Sequence, residues 1–357
     1  MARIDPDAAI NGERFPLLID EWQMVPEILG AVKRAVDDDP APGRFIIAGS
    51  TQADLTAAGW PATGRLIRLP MYGFTEAELC EQPRADFLDR LQTRDAALFP
   101  VLAETLNIRG YITRALRGTF PEAALAGSAD FRRRWLASYV DQLVSRDAAL
   151  VGTVRDPMRL RRYLQALAAC TAEAPTTKRL IDAAGISQAT ADAYDALLEQ
   201  LMMTAKLPAW SSNRLNRLSR LPKRHLVDPA FAGPLLGIDL RAVMRDADLL
   251  GAIFETFAVA QLRSMCALLD DPPRLFHLRD ANGRHEVDLI IEFSDGRVVG
   301  IEMKAAAAPG PDDARHLRWL RDSIGDRFMV GAVLHSGPRP FRLDDSILAL
   351  PLSSLWS

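Results

Sequence analysis

Hydrophobic and polar positions follow four different rhythms along the chain. Over residues 1–82, short apolar runs predict strands at 15–19, 44–48 and 65–69, with a helix over 26–36 between the first two. A Pro/Gly cluster from Pro40 to Gly43 breaks the chain ahead of the second strand. Over 83–172 the apolar period becomes helical. Trp135, Leu136, Tyr139, Val140, Leu143 and Val144 share a face of a helix predicted over 128–149. Leu160, Tyr163, Leu164 and Leu167 line another that follows Asp156-Pro157. Over 173–225 the order is that of a winged helix-turn-helix. A short helix over 177–184 is followed by a turn at Gly185, then by Ser187 capping a second helix over 188–201, with 202–207 as the wing. Over 226–357 the chain alternates again. A helix at 249–268 leads into strands at 274–278, 286–293 and 298–304, a helix at 312–323, and strands at 327–334 and 346–352.

Charge alters the picture in the third stretch. Arg214, Arg217, Arg220, Lys223 and Arg224 place a basic residue about every third position after the second helix. Two readings stay open: a DNA-contacting element with a basic wing, or a helix-turn-helix used for packing. The helix over 188–201 carries Asp192, Asp195 and Glu199 and no Lys or Arg, which favours packing. The basic segment is therefore the better candidate for contact with a nucleic-acid backbone. Arg132 to Arg134 read as a solvated face with salt bridges. With 357 residues the chain has room for two or three domains of about 100–200 residues each. The net charge of −3 excludes a general polycation, so any nucleic-acid contact is local. Cys80, Cys170 and Cys266 are scattered, which argues against disulfides or a zinc site and fits a cytoplasmic protein. No leader is visible and no apolar run approaches the ~20 residues of a membrane helix, so no membrane partner is expected. Self-association is left open.

The densest chemistry lies between His285 and Lys304. Alternation puts Val287, Leu289, Ile291 and Phe293 on one face of the first strand and Glu286, Asp288, Ile290 and Glu292 on the other. On the return strand Val299, Ile301 and Met303 oppose Glu302 and Lys304. A two-residue turn would set Asp288 against Met303. A three-residue loop, Ser294 to Gly296, pairs Phe293 with Arg297 and Asp288 with Glu302, makes the apolar faces coincide, and gives Gly296 the left-handed position. That register is predicted. Asp288 and Glu302 could then share Mg²⁺, with Lys304 orienting a water or stabilising a phosphate and Glu255 adding a third carboxylate. The plainer alternative is a salt-bridged polar face. The arrangement resembles the PD-(D/E)xK nuclease superfamily. The resemblance implies Glu255 as the helical acid, Asp288 and Glu302 as metal ligands, and Lys304 as the lysine.

The apolar run into Asp20-Glu21 is what a nucleotide-hydrolysing domain uses to hold Mg²⁺ and orient water, with Asp20 as the ligand. Ser50 or Thr51, after the next strand, suits a polar sensor of the γ-phosphate. No Gly-Lys-Ser or Gly-Lys-Thr occurs in the sequence. From Asp20-Glu21 through Glu76, Asp228, Glu255 and the 286–304 hairpin to Trp356, the order of motifs resembles the AAA+-like ATPases of prokaryotes with a C-terminal domain of unknown function. The resemblance implies an α/β multidomain protein: a partial P-loop ATPase domain (1–82), a helical region (83–172), a winged helix (173–225) and a PD-(D/E)xK-like α/β domain (226–357). It implies ATP as the family's cofactor. Here the phosphate-loop strand and helix are missing, so no ATPase activity is expected of this chain. The strands at 44–48 and 65–69 are expected to flank a gap or pair directly. Three functions remain: an ATPase relic with a nucleic-acid-directed nuclease-like module, a Mg²⁺-dependent nuclease, or a non-enzymatic partner-binding regulator.

Overall fold

The computed structural model of the chain describes residues 5–10, 14–49, 64–82, 86–101, 105–147, 156–280 and 283–357. It is a mixed α/β protein of many helices and a six-stranded sheet, with two smaller sheets. Near the N-terminus, β1 (Leu17–Ile19) and β2 (Phe45–Ile47) run parallel, Leu17 beside Phe45. The helix Ile28–Asp38 covers one face of this pair with Ile28, Leu29, Ala31 and Val32. The alternate residues Leu18 and Ile46 point to the other face and are exposed.

The third strand predicted here does not form. Residues 66–70 are irregular, and Ile67 and Leu69 are 87% and 85% exposed. Neither pairing expected of this segment occurs, and among the described residues β2 pairs with β1 instead. An alternating apolar pattern becomes a strand where a ladder partner and a packed face are both at hand; here Leu66 packs against the small core, but among the described residues the segment has no ladder partner.

The helices Ile108–Arg117, Ala129–Gln142 and Pro157–Ala169 form the middle of the molecule. The helix expected over 128–149 starts where Ser128 accepts a hydrogen bond from Phe131 N and gives way after Gln142 to a π-turn. The helices Thr177–Ala184 and Gln188–Gln200 follow. Gly185 joins them at φ +65°, and Ser187 caps the second. The chain then forms a ribbon, β3 (Thr204–Leu207) antiparallel to β4 (Lys223–Leu226). One continuous apolar core runs from Phe87 to Trp356, so these elements are packed onto the C-terminal sheet rather than strung beside it.

That sheet has the order β5 (Arg274–Arg279), β6 (Glu286–Glu292), β7 (Val298–Lys304), β8 (Phe328–His335), β10 (Ile347–Pro351) and β9 (Phe341–Asp344). β9 was not anticipated. The helix Ala247–Ala267 packs on one face and Arg315–Ile324 on the other, so both faces are buried. The first of these helices is long and apolar enough by length and composition to pass for a membrane span. Here Ile253, Phe254, Phe257 and Leu262 are core residues.

The β6–β7 hairpin has the three-residue loop. Phe293 N donates to Arg297 O (2.9 Å), Gly296 sits at φ +82°, and the ladder runs from Glu292 opposite Val298 to Leu289 opposite Ile301. One expectation fails. Phe276 pairs with Ile290 but Leu278 with Val287, so β6 carries one extra residue in a bulge. The bulge turns Val287 away from Leu289 and Ile291 into the opposite core, beside Ile290. Asp288 sits within it.

Candidate functional site

The bulge decides where Asp288 goes. Pairing with β7 stops at Leu289, and the Asp288 carboxylate takes up the Met303 N–H through Oδ2 (2.9 Å). Its Oδ1 accepts from Lys223 Nζ at 3.0 Å. Lys223, on β4, also donates to Glu255 Oε1 (2.9 Å) from the helix Ala247–Ala267 and lies 3.3 Å from Glu286 Oε1. Its side chain is 4% exposed. Glu302 joins from β7. It is buried against Asp288, with Lys304 Nζ 3.7 Å from its Oε2 and, among the described residues, no hydrogen-bond partner for Oε1. Four of the residues assigned from the sequence thus converge: Glu255, Asp288, Glu302 and, at the half-open rim, Lys304.

The sequence reading missed the centre of the cluster. Lys223 was assigned to a phosphate backbone, and Glu286 had no role. Of the five basic residues in that segment, Arg217, Lys223 and Arg224 are buried in ion pairs with Glu292, the acidic pocket and Asp195 respectively. They are not available to a phosphate; Arg214 is exposed and Arg220 half-buried. The overlooked signal is the run His225 to Pro229 just after Lys223-Arg224, which makes β4 a fully buried strand. Cations entering such a strand require buried carboxylates.

Burial and charge divide the carboxyls into two kinds. Burial pushes Asp288 up, but Lys223, the Met303 N–H and Lys304 outweigh it and hold Asp288 below its usual value. Lys223 is held well above the ordinary lysine value, because Asp288, Glu255 and Glu286 outweigh its burial. Burial pushes Glu255 up to about 8, and burial followed by the Asp288 charge pushes Glu302 well up. The pocket interior therefore holds an ammonium–carboxylate pair, with two further carboxyls, Glu255 and Glu302, whose ionisation burial disfavours. His225, buried next to Glu255, is kept neutral by desolvation.

The raised Glu255 value sets a pH dependence. The folded chain keeps a proton that the unfolded chain loses near 4.5, so this contribution is complete below that pH and is lost as pH rises toward about 8. Urea midpoints measured between about pH 5 and pH 9 are expected to fall less steeply in Glu255→Gln, whose side chain cannot ionise.

A magnesium ion shared by Asp288 and Glu302 does not fit this arrangement. Asp288 spends one oxygen on Lys223 and the other on Met303, Glu302 is driven toward its neutral form, and an ammonium sits where a cation would bridge Asp288 and Glu255. Among the described residues no group of three or more His, Cys, Asp or Glu side chains is arranged to hold a metal ion.

At the N-terminal half-site, Asp20 follows β1 and is exposed, with its Oδ1 accepting from Glu21 N (3.0 Å). Glu21 adopts φ +49°, and its carboxylate accepts from the Gln23 amide. Ala48 N bonds Ile19 O (2.9 Å), lacing this turn to β2. Ser50 and Thr51 lie outside the described residues. The half-site borders the small core around Trp22 and Ile28, separate from the cores flanking the large sheet.

Comparison with known proteins matches three stretches of the chain. An AAA domain matches residues 4–80, and domains of unknown function match 108–242 (DUF8612) and 250–355 (DUF4143). Uncharacterized proteins of Mycobacterium bovis and Mycobacterium tuberculosis are each 27% identical over 353 residues, covering 98% of this chain and 71% of their own length. No solved structure matches. The AAA domain points to nucleotide binding, and with DUF4143 it indicates an AAA-like ATPase family.

Proposed function

We propose that this chain is a non-cleaving, partner-binding regulator of AAA-like ATPase type, in which a PD-(D/E)xK-like C-terminal domain uses its acidic pocket as an internal ion-pair hub. One observation carries the reading: Lys223 Nζ lies within 2.9–3.3 Å of Glu255, Asp288 and Glu286. Phosphodiester cleavage of the resembled kind needs those oxygens free for a hard cation. The helix-turn-helix, read as a winged helix, supports the same conclusion. On its second helix, Asp195 meets Arg224 (2.6 Å) and Glu199 meets Lys206 (2.8 Å), which suits packing rather than base reading.

The test combines two assays. Supercoiled plasmid is expected to stay intact with Mg²⁺ or Mn²⁺, and ATP turnover by the purified 357-residue chain is expected to stay at background. Cleavage abolished by Asp288→Ala, or ATP turnover abolished by Asp20→Ala or Glu21→Ala, would sink the proposal. A second reading, a metal-dependent nuclease acting through Glu255, Asp288, Glu302 and Lys304 on nucleic acid, is favoured by the buried Glu302 carboxyl lying beside Asp288. The same plasmid assay decides between them.

A further inference from the structure

We infer that copies of this chain associate head to tail, the helix Arg214–Leu218 of one copy seating on the uncovered face of β1 and β2 of the next. This rests on the partner-binding part of the reading above and names the partner as a second copy. The connection between β3 and β4 carries leucine at every third residue, Leu215, Leu218 and Leu221, and the first two are 75% and 85% exposed. These leucines are held in place. Asn213 Oδ1 accepts from Leu215 N (3.0 Å), Arg217 is clamped inward on Glu292, and Arg220 Nη1 donates to Arg279 O (2.6 Å). An apolar ridge fixed in advance loses little freedom on binding. Arg214 is exposed beside it, and neither Arg214 nor Arg220 enters an ion pair among the described residues.

The complementary surface lies near the N-terminus. Leu18 and Ile46, 61% and 55% exposed, stand on the face of the β1–β2 ladder that the helix Ile28–Asp38 does not cover. Asp20 and Glu21 follow β1 directly and are exposed, and Asp20 enters no ion pair among the described residues. Charge decides which surfaces meet. Two basic ridges repel, as do two acidic faces, whereas ridge on face brings leucine to apolar face and arginine to carboxylate. The contact is therefore heterologous, and repeats from copy to copy unless it closes into a ring. A nucleic-acid backbone would answer the arginines but leave the leucines in water. Patches this short fall below the roughly 20–30 residues per side of a standard interface, so the association is weak and concentration-dependent.

The experiment is sedimentation velocity of the full chain from about 1 to about 200 µM, in low and high salt. Wild type is expected to gain mass with concentration, and less so in high salt. Leu215→Asp/Leu218→Asp, which spoils the ridge, and Leu18→Asp/Ile46→Asp, which spoils the face, are each expected to stay monomeric alone. Mixed, they are expected to form a one-to-one dimer, because each keeps the surface the other has lost. Where the face variant melts lower than wild type, Asp20→Arg, at an exposed position, takes its place and is expected to weaken self-association at least about tenfold. Wild type that stays monomeric throughout overturns the inference. Self-association of the ridge or face variant alone overturns it too, since a surface then pairs with itself, as does a mixture without dimer. A DNA duplex bound by monomeric wild type and lost in Arg214→Glu gives the ridge to nucleic acid and overturns it as well. Monomeric wild type with plasmid intact and no ATP turnover leaves the non-cleaving reading standing. Plasmid cleavage removes that reading, and is read on a gel rather than by sedimentation.

Discussion

Lys223→Met is expected to lower stability by about 3–5 kcal/mol in metal-free buffer at neutral pH, the range for removing one partner of a buried ion pair. Methionine matches the lysine stem in length, so the lost packing is small and the loss is electrostatic. Asp288 is left ionised, buried and without its nearest counter-charge, and Glu255 loses the donor 2.9 Å away. Asp288 can relieve this by taking up a proton. Its folded-state value would then lie above the unfolded one, so the variant's deficit is expected to shrink as pH falls and to grow as pH rises. In Lys223→Met/Asp288→Asn, where both charges are gone, part of the loss should return. Urea unfolding of wild type, Lys223→Met, Asp288→Asn and the double variant gives the coupling as a double-mutant cycle. A loss below about 1 kcal/mol would mean that water, not Lys223, neutralises Asp288.

Much of this pocket could be read from residues 286–304 because two independent constraints agree there. The loop needs a left-handed residue and Gly296 supplies it, and burial of Leu289, Ile291, Val299 and Ile301 allows a single register. The bulge at Asp288 had no such signature. It depends on how β5 meets β6, a contact between strands whose connection carries no pattern of its own. Lys223 was misread for a related reason. In sequence its neighbours are basic and suggest solvent, whereas its partners are 32 to 65 residues away on elements that meet only in the fold. The segment 65–69 is the opposite case. Its local pattern is sound, but pairing is decided by what lies alongside, and the described structure offers it no ladder.

Arg217 gives the sharpest contrast between the two meanings of a basic residue. Arg217→Met is expected to cost about 3–5 kcal/mol, while a residue contacting phosphate could be replaced with little effect on stability. Its guanidinium forms a fork on Glu292, Nη1 to Oε2 at 2.6 Å and Nη2 to Oε1 at 2.7 Å, and Nε donates to Ser211 O at 2.7 Å. It also lies 4.9 Å from the Phe276 ring centroid and 5.3 Å from that of Trp210. Trp210 Nε1 donates to the same carboxylate (3.0 Å). Burial pushes Glu292 up, but Arg217 and Trp210 outweigh it and keep it ionised below its usual value. Removing Arg217 therefore strands a buried charge at the edge where residues 208–210 join β5. Glu292→Gln, which leaves the arginine unpaired, should cost a comparable amount, and Arg217→Met/Glu292→Met less than the two single losses added together. The same variants should leave any affinity for nucleic acid unchanged wherever they remain folded. Loss of such binding at full stability would return Arg217 to the surface and the 214–224 segment to a phosphate-contacting role.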